Sequence, residues 1–74
     1  MTKKQKWVLN YLKDITCASE HELAKHWSEI TKGYLKPTQY DAFNMHLTLE
    51  RLISRDLVHM ERNKVSSYRY YSLV

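Results

Sequence analysis

The 74-residue sequence holds one glycine and one proline. So few backbone breakers exclude a many-turned all-β fold and leave helices joined by few connections. A single cysteine, Cys17, excludes an internal disulfide and suits a reducing compartment. The opening "MTKKQKW" has no apolar run of signal-peptide length, and no stretch is long enough to span a membrane. A cytoplasmic protein with no membrane partner is the expectation. Zinc-ligand spacings are missing as well: Cys17 and His21 are four apart across a connector, and His26, His46 and His59 are scattered. No nucleophile–base set, glycine-rich phosphate loop or paired-carboxylate motif is present. The chain therefore does not read as an enzyme, and no catalytic residue, metal or cofactor is expected.

What is there fits one domain over residues 1–74, with no room for a second core. A chain this short buries only somewhat over half of its unfolded surface. Two Trp, six Tyr and one Phe supply much buried area per residue. Twelve Lys plus Arg against eight Asp plus Glu leave a net charge of +4, a balance that favours a polyanionic partner.

Three helical patterns follow one another. Thr2 and Gln5 fit a capping box, and Trp7, Val8, Tyr11, Leu12 and Ile15 then share one face. This predicts a helix over 3–15, with "TCAS" as a connector. Ser19 and Glu22 repeat the capping logic, and Leu23, Trp27 and Ile30 continue a stripe in which Ala24 admits a close neighbour. Gly33 suits a left-handed stop, which predicts a second helix over 20–31. Pro37 biases Lys36 away from helix, and Thr38 with Asp41 restarts one over 39–55. Ala42, Met45, His46, Leu49, Leu52 and Ile53 form its inward stripe, which Phe43 and Leu47 widen along one flank. His46 there reads as a hydrogen-bonded core residue. Tyr40, Asn44, Thr48, Arg51 and Arg55, with Asp41 at the edge, form the outward arc.

Asp56 falls where a helix often ends in the left-handed conformation. Residues 57–62 and 68–73 then alternate on either side of "NKVSS", which predicts a hairpin. One inward set is Val58 and Met60 facing Tyr71 and Leu73, with Tyr68 and Tyr70 on the other side. A lone hairpin is barely stable, so it must pack on the helices. The fold class is α+β, mainly α.

The segment "LTLERLISRDLVHMERNKVSSYRYYSL" resembles the recognition-helix-to-wing region of winged helix-turn-helix transcriptional regulators of the PadR, MarR and penicillinase-repressor kind. In those, a Leu-x-x-Leu helix end meets a Gly-Leu-Val-like junction, and a charged wing precedes a Tyr-Tyr-x-Leu-like return strand. "SEHELAKHW" is similar to the first helix of their helix-turn-helix unit. The likeness covers about residues 19–73. Two departures stand out: Asp56 occupies the usual Gly place, and "TKGYLKP" is longer than a tight helix-turn-helix connector. The dimerisation helices of MarR-like and PadR-like proteins are absent from this stretch.

The resemblance implies a third helix lying in the major groove of double-stranded DNA and a wing beside it on phosphate. Candidate contacts on the helix are Gln39, Tyr40, Asn44, Thr48 and Arg51. Asn matches adenine, Arg matches guanine, and Thr can touch a thymine methyl; a merely solvated polar face is the plain alternative. Arg55 either contacts DNA or caps the helix carbonyls. Arg62, Lys64 and Arg69 flank the wing loop as phosphate contacts or as solvated loop residues. Ser66 and Ser67 either donate to phosphate or serve the turn. Lys36 and Thr38 either hold a phosphate at the third helix's N-terminus or act as loop and cap. Lys3, Lys4 and Lys6 either track the DNA backbone or, as the favoured reading, form a solvated tail. Trp7, Tyr11, Trp27 and Phe43 read as core rather than stacking platforms.

The leading expectation is a small sequence-specific regulator of double-stranded DNA, binding as a homodimer if its site is pseudo-palindromic. The rival is a winged-helix adaptor whose protein partner meets Phe43, Leu47, Tyr68 or Tyr70. A third reading is single-stranded nucleic acid stacked on the tyrosines.

Overall fold

Each helix begins on a hydroxyl. Thr2 and Thr38 close capping boxes with Gln5 and Asp41, and Ser19 accepts from the Glu22 N–H, so first-turn donors find partners. In a computed structural model that describes residues 1–33, 38–65 and 68–74, these caps open α1 (Lys3–Ile15), α2 (Glu20–Lys32) and α3 (Gln39–Ser54). The Glu22 carboxylate does not return to its cap. It accepts a 2.9 Å hydrogen bond from the Tyr11 hydroxyl instead, which ties α2 to α1. Burial, and then that bond, push the Tyr11 hydroxyl up to about 12. Gly33 ends α2 at φ 79°, as its place in the sequence requires.

Three strands form one antiparallel sheet in the order β1-β3-β2: β1 (Cys17–Ser19), β2 (Val58–Arg62) and β3 (Arg69–Leu73). The stretch expected as a connector is thus largely a strand. Cys17 pairs with Ser72 and Ser19 with Tyr70, so β1 covers the far edge of β3 and gives the hairpin a third strand. Thr16 turns the chain into it at φ 80°, a strained conformation for a β-branched residue. The hairpin sets Val58 opposite Leu73 and Met60 opposite Tyr71, as expected. Of that inward set only Val58 and Tyr71 are buried; Met60 and Leu73, toward the sheet's margin, are exposed.

Val8, Leu12, Leu23, Ala24, Met45, Leu49, Leu52, Val58, Ala18 and Tyr71 form one core between the helices and the inner sheet face. Trp7 and Trp27 meet at its rim with ring centroids 5.5 Å apart, and Lys4 lies 5.8 Å from the Trp27 ring rather than in a free tail. Several stripe positions differ from expectation. In α2 the inward arc turns toward Ala24 and Ser28, small residues that let a neighbouring helix approach, and leaves Ile30 exposed. In α3 it turns toward Asp41 and Thr48, so Phe43 and Leu47 face solvent while Ala42 and Ile53 are only partly covered. Ile15 is exposed as well.

The passage from α3 to β2 needs no spacer because the helix end is itself the joint. The Asp56 N–H donates to Ile53 and the Leu57 N–H to Leu52, at 2.9 and 3.1 Å, while Asp56 adopts φ 59°. This is a Schellman closure, with Asp56 in the left-handed place. It satisfies the last carbonyls, brings Leu57 back onto the core and fixes the strand's departure angle.

Candidate nucleic-acid interface

The orientation of α3 is set at its first turn. The Asp41 carboxylate accepts from both the N–H and the hydroxyl of Thr38, each at 3.0 Å, and pairs with the Lys32 ammonium at the end of α2. A cation at one helix's C-terminus meets an anion at the next helix's N-terminus, so both macrodipoles favour the pair. Lys32, and then the Thr38 backbone, hold the Asp41 carboxyl at about 2. The clamp closes across the long connector and fixes α3 against α2. It also commits Thr38 to capping. Lys36, the other residue expected at this helix start, lies outside the described residues, as do Ser66 and Ser67.

Midway along, the His46 ring joins three elements. Its Nδ1 lies 2.7 Å from the Glu20 carboxylate and its Nε2 3.6 Å from Glu50, while the Tyr71 hydroxyl lies 3.5 Å from the same Glu20 oxygen. Burial, then the Glu20 charge, raise the Tyr71 hydroxyl above its ordinary range, and Arg69 beside it pulls the other way. His46 is accordingly a half-buried bridge between α2 and α3.

What remains outward on α3 is one continuous face. Gln39, Tyr40, Arg51 and Arg55 are exposed and Asn44 half-exposed. Thr48 does not belong to it. Its position falls on the arc of Asp41, Met45 and Leu52, it is buried, and its hydroxyl donates 3.0 Å back to the Asn44 carbonyl. That internal bond lets a threonine go inward without an orphan group, and it removes Thr48 from the exposed face. Phe43 and Leu47 take up the exposed space.

On the wing, Arg62 and Lys64 are exposed, and an Asx turn from Asn63 to the Val65 N–H, 2.8 Å, shapes the tip. Arg62 stands directly opposite Arg69. By strand alternation both share the sheet face of Met60 and Tyr71, which is the side that packs on the helices. Glu61 points to the opposite face. The Lys32 clamp, which crosses nine positions and the helix connector, has no local signal in the sequence. The cross-strand arginine pair does follow from the sequence, once the register is drawn.

Among the described residues no group of three or more His, Cys, Asp or Glu is placed to hold a metal ion, and no helix is long and apolar enough to cross a membrane.

No protein-family model matches the sequence, and no curated protein does. Among solved structures the chain is similar to a mutant of MarR from E. coli complexed with operator DNA, at 20% identity and a TM-score of 0.71. The match covers 100% of this chain and 46% of that one, so the chain spans under half that protein's length. The likeness establishes the architecture: three helices followed by a β-hairpin wing, the winged-helix fold.

Proposed function

We propose that this domain binds double-stranded DNA sequence-specifically and acts as a transcriptional regulator. Its α3 enters the major groove, where Gln39, Tyr40, Asn44 and Arg51 meet base edges, and Arg62, Lys64 and Arg69 on the wing meet phosphate. The observation that carries this reading is the outward face of α3, which presents half-exposed Asn44 and exposed Arg51, with exposed Arg55 at its C-cap, on a helix clamped at both ends. The fold shared with a MarR protein solved on operator DNA supports it.

The test is selection from a random duplex pool followed by titration at rising salt. An enriched sequence whose affinity falls steeply with salt is the expected outcome. Affinity without enrichment reduces the role to nonspecific binding, and no affinity at low ionic strength removes it. In that last case the adaptor reading gains, since Tyr40, Phe43 and Leu47 are exposed.

A further inference from the structure

The outward face of α3 is unusual in what it exposes. Tyr40 is 71% exposed, Phe43 59% and Leu47 37%. At helical spacing they form a row, and Arg51 and Arg55 extend it one and two turns on. Water gains nothing from an apolar row, and a contiguous exposed one marks a contact surface. Its surroundings say which kind. Among the described residues the row itself contains no carboxylate; Glu50 lies at its edge, 3.6 Å from the His46 ring. Apolar in the middle and cationic at the end is the complement of a groove with apolar groups on its floor and phosphates on its walls. The major groove is such a groove, because thymine projects its C5-methyl there.

The geometry points to a site rich in A·T pairs, recognised through thymine methyl groups by Tyr40, Phe43 and Leu47. This rests on the DNA reading above and adds the identity of the bases. Tyr40 to Leu47 spans about 10 Å of helix at 1.5 Å per residue. Base pairs repeat every ~3.4 Å, so the row covers about three steps. Asn44, between Tyr40 and Leu47 on the same face, is placed to take an adenine in the same run.

The experiment exchanges uracil for thymine in the best duplex from the pool selection. Uracil pairs like thymine and lacks only the methyl, so nothing in the protein changes. Burying one methyl corresponds to about fourfold in affinity, and three to roughly fiftyfold. The all-uracil half-site is expected to bind weaker by that order, and Leu47→Ala or Phe43→Ala, checked for an unchanged thermal midpoint, to shrink the difference. Equal affinity for the thymine and uracil duplexes overturns the inference while leaving DNA binding intact, as does a selected site without thymine. Failure to bind any duplex overturns both and leaves the row to a protein partner.

Discussion

Arg62 and Arg69 face each other across β2 and β3. Like charges directly opposite each other on a sheet repel, and the pair weakens the hairpin it sits in. On the proposed DNA reading, phosphate is the anion that offsets this repulsion. The prediction is a change of opposite sign in two measurements. Arg62→Glu makes an attractive cross-strand pair and stabilises the free protein by about 0.2–1 kcal/mol in denaturant melts. The same change lowers DNA affinity more than about tenfold, since it sets a carboxylate against phosphate. A stabilised variant that binds as well as the parent removes Arg62 from the interface.

The Lys32–Asp41 clamp makes an acid limb in the stability curve. The Asp41 carboxyl sits at about 2 in the fold against an ordinary 3.8. Its folded value is depressed, so its contribution is full above about pH 5 and is lost as pH falls through roughly 4 to 2. Asp41→Asn removes the charge, and the gap between parent and variant, measured by chemical denaturation, is expected to be constant near neutrality and to close toward pH 2. A gap that does not narrow on acidification contradicts the clamp.

Asp56 is left-handed at φ 59° and places a negative charge at the C-terminal end of α3. Both cost stability, by sterics and by the macrodipole. Asp56→Gly is expected to raise stability by up to about 1 kcal/mol without altering the junction. A loss of stability instead means that the Asp56 side chain makes an interaction that glycine cannot replace.

Ser28 is fully buried in α2, and its hydroxyl has no hydrogen-bond partner among the described residues. An unpaired buried hydroxyl costs about 1 kcal/mol or more. Ser28→Ala keeps the close helix approach and removes the orphan, so the thermal midpoint is expected to rise by about 4–8 °C. An unchanged midpoint points to water satisfying the hydroxyl.

The helix starts are legible in the sequence because a capping hydroxyl with an acid or amide three residues on is a local signal; Thr2, Ser19 and Thr38 all show it. The hairpin register is legible because slipping it by one residue would put Val58 and Tyr71 on the wet side. β1 is not: three residues are too few for alternation to show, and the strand exists only because β3 offers it an edge. Thr48 turns inward against expectation because residue type does not reveal a hydroxyl bonded to its own helix. Leu47 turns outward because apolar residues on α3 outnumber the positions its neighbours cover, so which ones face water depends on how α2 crosses it.

The most direct test of duplex binding by α3 and the wing together is the slope of log affinity against log salt for the selected duplex. Arg51→Ala and Arg62→Ala are each expected to weaken binding and to flatten the slope by about 0.9 for each phosphate no longer neutralised, with folding unchanged. Unaltered slopes and affinities in both variants would contradict it.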